Sequence, residues 1–146
     1  MTIFDKPVQN ESKEGIVKDT IVVIEDGPIG AMYEIKLKKA GFETVLLKDK
    51  YEAEDWLNEN QEYLENVSMF LCDYEAGNGD LFDEAIRIIN NTLGSDARTI
   101  ANSNGHNDAL TKLGCKFDHD KQDVNSIVVL AELMRSDRKS FEDKFK

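Results

Sequence analysis

Five polar side chains that could bind a metal ion and an anion follow short apolar runs in this chain. Glu25 and Asp26 follow the first run, Asp73 the third and Ser103 the fourth, while Lys121 lies beyond the fifth. Because the carboxyl ends of parallel strands meet at one edge of a sheet, we expect these side chains to converge. Crowded carboxylates repel one another unless a cation lies among them, and Mg²⁺ prefers such oxygen ligands. The pattern predicts an acidic metal site with one hydroxyl and one ammonium group.

The elements that must position these residues are strands alternating with helices. Strands are predicted over residues 20–24, 42–47, 67–72, 98–101 and 116–119. Helices are predicted from Pro28 to a stop at Gly41, over 51–65, from an Asp80 N-cap through Ile89, over 107–113, and from Val124 to Met134. Right-handed crossovers between parallel strands place helices on both faces of the sheet. We therefore predict an α/β fold with a doubly wound, five-stranded parallel sheet.

Length and charge limit the domain organisation and the function classes. The 146 residues fit one domain over 20–135, with a polar, flexible N-terminal arm over 1–19 and a charged tail or helix extension over 136–146. The chain carries 29 acidic against 18 basic residues, which disfavours direct binding to DNA or to an anionic membrane surface. The polar start lacks the apolar core of a signal peptide, so we expect a cytoplasmic protein.

The remaining residues of chemical interest are predicted to be structural. Cys72 and Cys115 show neither metal-ligand spacing nor a disulfide framework, so both are predicted to be buried or half-buried thiols. His106 and His119 are not paired with each other or with a thiol at useful spacing, which favours a surface or edge position over metal ligation. Tyr33 lies on the apolar stripe of the first helix and is predicted to be a core residue.

The order of the polar positions resembles the receiver domains of two-component response regulators, a family with a flavodoxin-like fold. The resemblance covers residues 20–135. In that family an acidic pair, an aspartate, a hydroxyl and a lysine follow strands one, three, four and five. Here those places are held by Glu25, Asp26, Asp73, Ser103 and Lys121.

The resemblance implies that Asp73 accepts a phosphoryl group from a phosphohistidine. It further implies that Mg²⁺ is held by Asp26, Asp73 and the backbone carbonyl of Glu75, with Glu25 acting through water. The donor would be a sensor histidine kinase or a histidine phosphotransfer protein. Such a domain is a phosphoacceptor and not a dedicated enzyme, although it assists its own phosphotransfer and dephosphorylation.

The resemblance also implies roles for the hydroxyl and the ammonium. Lys121 would pair with Asp73 before phosphorylation and with the phosphoryl oxygens after it. Ser103 would donate its hydroxyl to a phosphoryl oxygen and draw its loop inward. The signal would then pass to a downstream protein target through protein contacts.

Four departures from the family pattern affect the loops and the surface that a partner would contact. Gln122 stands where the family has proline after its lysine, and the loop after Asp73 lacks a proline and is about two residues short. The stretch from Ser103 to Gly114 is shorter by about one helical turn. Asp118 replaces the switch aromatic three residues before the lysine. The phosphorylation pocket is therefore expected to be retained and the readout surface to differ.

Three interpretations remain open at this point. The first is a stand-alone phosphoacceptor receiver, and the second is a receiver-like interaction module that partners read independently of phosphorylation. The third is an aspartate-nucleophile phosphatase, suggested by the spacing of Asp73 and Glu75. The Ser103 hydroxyl could also simply cap the short helix that follows it.

Overall fold

A five-stranded parallel sheet forms the centre of the computed structural model, which describes residues 20–119, 121 and 123–136. The strands are β1 (Thr20–Ile24), β2 (Glu43–Leu47), β3 (Val67–Cys72), β4 (Glu75–Gly77), β5 (Asp80–Leu81), β6 (Thr99–Ala101) and β7 (Phe117–Asp118). The sheet order is β2-β1-β3-β6-β7, while β4 and β5 form a separate antiparallel hairpin. All neighbours in the main sheet are parallel. The predicted sheet is confirmed.

Helices cover both faces of this sheet. They are α1 (Pro28–Lys39), α2 (Lys50–Glu59), α3 (Asp83–Leu93), α4 (Asn107–Lys112) and α5 (Val124–Ser136). Short 3-10 helices span Gln61–Asn66 and Gly94–Asp96. Helices α1 and α5 pack together on one face, and α2 packs with α3 on the other. The doubly wound α/β architecture is confirmed, because helices lie on both sides.

The core follows from the alternation of side chains along the central strands. In β1, Ile21 and Val23 face the α1/α5 layer, whereas Val22 and Ile24 face the α2/α3 layer. All five residues of β1 and all six of β3 are buried. Strands that are covered on both faces have continuous apolar sequences, which is why these two strands could be predicted.

The boundaries of α1 are set by local backbone preferences. Pro28 occupies the first turn, where its missing N–H removes no helical hydrogen bond. Gly41 follows the C-terminal end with a φ of 94°, a left-handed conformation that glycine adopts without a steric cost. Both predicted boundary signals are confirmed, and they place the N-terminus of α1 two residues after Asp26.

The start of α3 differs from the prediction. Asp80 was expected to be its N-cap, but it lies in β5, and the helix begins at Asp83 with Phe82 at the N-cap position. The segment expected to be an irregular loop forms the β4–β5 hairpin instead. Its tight turn is explained by Gly77, Asn78 and Gly79, which all have positive φ.

Two other elements are shorter than expected. The predicted helix over 51–65 divides into α2 and the 3-10 helix Gln61–Asn66, with Asn60 between them. The side-chain amide of Asn60 donates to the Trp56 carbonyl at 2.8 Å, which supplies a partner at the end of α2. The fifth strand of the sheet is reduced to Phe117–Asp118, at the sheet edge.

Several predictions fall outside the part of the chain that is described. They concern the N-terminal arm over residues 1–19, the tail over 137–146 and the peptide bond before Gln122. Within the described ranges, no helix has the length and apolar character needed to cross a membrane.

Candidate functional site

The predicted site residues line one cavity at the carboxyl edge of the sheet. The backbone ladder continues past the strand ends, since the Asp73 amide donates to Ile24 and the Asn102 amide to Cys72, each at 2.9 Å. This ladder holds the residues after β1, β3 and β6 at the same level. The cavity measures about 330 Å³, and its walls include Glu25, Asp26, Asp73, Glu75, Ser103 and Lys121.

Three carboxylates in this cavity are close enough to share a cation. One oxygen from each of Glu25, Asp26 and Asp73 lies within 4.8 Å of the others. Asp26 is exposed to solvent, while Glu25 and Asp73 are buried. Carboxylate oxygens are hard ligands of the kind that Mg²⁺ and Ca²⁺ prefer, so this donor set fits the expected Mg²⁺. Glu75 also borders the cavity, as expected for a residue that offers its carbonyl.

Lys121 supplies the positive charge that balances this acidic cluster. Its Nζ lies 2.8 Å from Glu25 Oε1 and 3.2 Å from Asp73 Oδ2. The expected pair with Asp73 is therefore present, and Glu25 is an additional partner that the sequence did not predict. The second oxygen of Glu25 accepts from the Gly27 amide at 2.9 Å. Both oxygens of Glu25 are thus already engaged, which favours Asp26 over Glu25 as a direct metal ligand.

The pKa values of these groups depend on their burial and on the charged groups next to them. Burial raises the pKa of Glu25 to about 6, although the hydrogen bond from Lys121 counters part of this rise. Burial and the neighbouring Asp73 raise the pKa of Asp26. For Lys121, burial alone would lower the pKa, but bonding to Glu25 and attraction to Asp73 outweigh it and raise the pKa. The cluster therefore favours an added cation or proton.

We expect Glu25→Gln to stabilise the metal-free protein at neutral pH. The pKa of Glu25 is about 6 in the folded state, above its ordinary 4.5, so ionisation costs stability as pH rises through this window. A shift of this size corresponds to about 2 kcal/mol above pH 6, because one pKa unit is about 1.4 kcal/mol. Urea unfolding in EDTA should show this gain at about pH 8 and none at about pH 4.

The exposed Glu59→Gln variant is the matched control, because it removes the same charge from the end of α2. It is expected to leave the free energy of unfolding unchanged at both pH values. Equal stability of Glu25→Gln and wild type at about pH 8 would contradict the assigned environment of Glu25.

Ser103 is buried, with 8% of its surface exposed, and lies in the loop after β6. Its amide donates to Asn107 Oδ1 at 2.8 Å, and Asn107 Nδ2 donates to the His119 carbonyl at 3.3 Å. The α4 helix has His106 at its N-cap and no side-chain cap bond, so Ser103 does not cap it. Ser103 borders the cavity, and Asn107 ties its loop to the residue that follows β7.

The β4–β5 hairpin forms one wall of the cavity. A Cβ atom at Gly77 would lie 3.3 Å from Asp26 Oδ2, which is a tight approach, and its φ of 83° also favours glycine. The Tyr74 ring contacts the His106 ring with centroids 5.1 Å apart. Glu75 is exposed and its carboxylate lies 3.9 Å from His106 Nε2, a contact that gives no support to the phosphatase interpretation.

Sequence reasoning missed a set of buried polar residues beneath the cavity. His119 was expected at the surface or an edge; it follows the edge strand β7, but it is only 9% exposed and its Nδ1 lies 2.8 Å from Asn102 Oδ1. Tyr33 is buried as predicted, yet its hydroxyl contacts the Lys121 carbonyl. Up to 88 residues separate these partners, so no local spacing could reveal them. Cys72 and Cys115 are both buried, as predicted.

Comparisons with solved structures agree with this architecture. The receiver domain of the Francisella response regulator 1452 superposes with a TM-score of 0.61 at 17% identity, covering 79% of this chain and 94% of that one. The response regulator domain of Thermotoga maritima CheB gives 0.58 at 17% identity, covering 87% and 98%. This chain has the receiver fold.

A third structure with the receiver fold is the BeF3-activated N-terminal receiver domain of Klebsiella pneumoniae RstA. It matches with a TM-score of 0.58 at 16% identity, covering 80% of this chain and 99% of that one. No protein-family model and no curated protein matches the sequence. At these identities the likeness establishes the receiver fold alone, and the chemistry must be argued from the residues in the cavity.

Proposed function

We propose that this chain is a response-regulator receiver that accepts a phosphoryl group on Asp73. The observation that carries the proposal is the position of the Lys121 ammonium, 3.2 Å from Asp73 in a cavity that also holds Asp26 and Ser103. A nucleophilic carboxylate, a cation site, a hydroxyl and an ammonium group are what phosphoryl transfer to an aspartate needs.

The reaction would transfer a phosphoryl group between two side chains. An oxygen of Asp73 attacks the phosphorus of a phosphohistidine, the new P–O bond forms, and the P–N bond breaks with its electron pair returning to the imidazole. Asp73 Oδ1 accepts the Tyr74 amide at 2.8 Å, and Oδ2 pairs with Lys121. These two contacts fix the orientation of the nucleophile.

The charges around Asp73 would serve the transferred group. A bound Mg²⁺, held by Asp26, Asp73 and the carbonyl of Glu75, would neutralise negative charge on the phosphoryl oxygens. Lys121 has a flexible side chain that can move from the carboxylate to the incoming anion. The Ser103 hydroxyl would donate to a phosphoryl oxygen once that oxygen is present.

Intact-mass measurement after incubation with acetyl phosphate tests this proposal. With Mg²⁺, the wild type should gain the mass of one phosphoryl group, and EDTA should prevent the gain. No gain of mass with Mg²⁺, in a protein shown to be folded by circular dichroism, would contradict the proposed function.

The proposed partners follow from the same reaction. The phosphoryl donor is a sensor histidine kinase or a histidine phosphotransfer protein, and the output is contact with a downstream protein in the cytoplasm. The net charge of −11 argues against direct binding to DNA. In this proposal the chain is a phosphoacceptor that assists its own phosphotransfer and dephosphorylation.

Ser103→Ala is expected to leave phosphorylation largely intact and to weaken the structural response to it. The Ser103 hydroxyl has a role only after a phosphoryl oxygen is present. Asp118 is exposed on the edge strand β7, and its charge prevents it from filling a buried cavity as the family's aromatic ring would. Asp118 is therefore not expected to carry the structural response. Amide NMR shifts on adding beryllofluoride should therefore shrink in Ser103→Ala and persist in Asp118→Ala. The opposite pattern would place the switch in β7.

A second candidate is an interaction module that partners read independently of phosphorylation. The exposed Asp118 on edge strand β7, which follows the short helix α4 along the chain, favours it. Under this alternative, Asp118→Ala changes partner affinity equally with and without beryllofluoride, and Asp73→Asn leaves that affinity unchanged. A partner that binds only the beryllofluoride form would exclude it.

A further inference from the structure

A hydrogen-bonded chain of buried polar side chains lies beneath the cavity, between the sheet and the α1/α5 layer. We call Tyr33, Asn102 and His119 the polar frame. Tyr33 is fully buried, Asn102 is 1% exposed and His119 is 9% exposed. Asn102 Nδ2 lies 3.0 Å from the Tyr33 hydroxyl, and Asn102 Oδ1 lies 2.8 Å from His119 Nδ1. The frame ends at the main-chain carbonyl of Lys121, which contacts the Tyr33 hydroxyl.

The carbonyl of Lys121 sets the direction of every hydrogen bond in the frame. A carbonyl can only accept, so the single hydroxyl proton of Tyr33 is donated to it. Tyr33 must then accept from the Asn102 amide, which turns Oδ1 of Asn102 toward His119. His119 Nδ1 therefore carries a proton and donates it. Burial raises the pKa of Tyr33, which keeps its hydroxyl protonated for this task.

The polar frame is connected to the backbone of both residues that are expected to contact a phosphoryl group. Asn102 directly precedes Ser103, and the Tyr33 hydroxyl holds the carbonyl of Lys121. The backbone of Lys121 is thus held by Tyr33, while its ammonium group is held in the cavity by Glu25 and Asp73. Movement of this backbone would move the ammonium.

Packing alone does not account for three polar residues at these positions. Apolar side chains would fill the same space without hydrogen bonds, whereas each buried polar group needs a partner with defined geometry. The hydrogen-bond geometry that the polar frame requires therefore fixes the position of the Lys121 carbonyl. The frame also joins α1, whose first turn follows Asp26, to the loop that carries Lys121.

We propose that Tyr33, oriented by Asn102 and His119, is a positioning residue that holds Lys121 in place for phosphoryl transfer to Asp73. The consequence for the reaction rests on the proposed function. The consequence for the backbone of Lys121 does not, so the two can be tested separately.

The test compares Tyr33→Phe, which removes one oxygen atom, with two controls. Tyr63→Phe makes the same change at a residue that is 39% exposed. Ile89→Val weakens the core on the α2/α3 side of the sheet, away from the frame. Three quantities are measured: ¹⁵N relaxation of the Lys121 amide without a phosphodonor, Mg²⁺ affinity by calorimetry, and the rate of phosphorylation by acetyl phosphate.

We expect Tyr33→Phe to increase the mobility of the Lys121 amide, to leave Mg²⁺ affinity unchanged and to slow phosphorylation roughly tenfold. Both controls should keep the wild-type rate, even if Ile89→Val melts at the same temperature as Tyr33→Phe. An unchanged rate in Tyr33→Phe, or an equal loss in Ile89→Val, would overturn the proposal. If the wild type accepts no phosphoryl group, the proposed function fails, but the mobility of the Lys121 amide can still be compared. Unchanged mobility of this amide in Tyr33→Phe would overturn the positioning role.

A second pair of variants keeps the proposal testable if Tyr33→Phe does not fold. His119→Gln retains an amide that can donate to Asn102, whereas His119→Leu cannot donate to Asn102 and also loses the contact of His119 Nε2 with Ser126 Oγ. The positioning role predicts a near-normal phosphorylation rate in His119→Gln and a reduced rate in His119→Leu. Equal rates in the two folded variants would overturn the role of His119 in orienting Asn102.

Discussion

Asp73→Asn is expected to abolish phosphorylation by acetyl phosphate. The amide that replaces the carboxylate is a poor nucleophile, so the rate should fall by at least about 1,000-fold, which is below detection in a mass assay. The folded structure should persist, because the side-chain amide oxygen of the variant can still accept from the Tyr74 amide and Lys121 keeps its pair with Glu25.

The control for this loss is Asp55→Asn, which changes the same side chain at an exposed position on α2. It should gain one phosphoryl group at the wild-type rate. Persistent labelling of Asp73→Asn would place the nucleophile at another residue, and Asp26 would then be the first to test because it borders the same cavity.

Asp26→Asn is expected to have the largest effect on Mg²⁺ binding. Asp26 is exposed in the cavity, whereas both oxygens of Glu25 are occupied by Lys121 and Gly27. Loss of a direct ligand should weaken binding by at least about 100-fold, and loss of a supporting carboxylate in Glu25→Gln by roughly tenfold. Isothermal titration calorimetry of each variant with MgCl₂ measures both effects.

Asp55→Asn again serves as the charge-matched control and should bind Mg²⁺ as tightly as wild type. A larger loss in Glu25→Gln than in Asp26→Asn would reverse the assigned roles. It would mean that Glu25 supplies a direct ligand to the metal in addition to its pair with Lys121.

The main sheet could be predicted because its central strands are buried on both faces. Continuous apolar runs such as those of β1 and β3 are distinctive, and Pro28 and Gly41 mark the limits of α1. The β4–β5 hairpin could not be predicted, because its strands have only three and two residues, too few to establish a periodic pattern. Its glycines indicated a turn but not the pairing.

The cavity residues could be predicted because each follows a strand and strand ends share an edge. The resemblance indicated the pair of Lys121 with Asp73 but not its second contact with Glu25, because that contact depends on side-chain geometry across the sheet. The polar frame was also beyond prediction, since Tyr33 and Asn102 are 69 positions apart and lie on different elements. His119 directly follows a two-residue edge strand, which gave no periodic signal for its burial.

Chemical mapping of the acceptor tests the central claim most directly. Protein treated with acetyl phosphate and Mg²⁺ is reduced with sodium borohydride, which converts an acyl phosphate on aspartate to homoserine, and the peptides are then sequenced by mass spectrometry. We predict homoserine at position 73 in the wild type, and none after treatment in EDTA. Homoserine at position 26 or another position, with an unmodified Asp73, would contradict the proposed site.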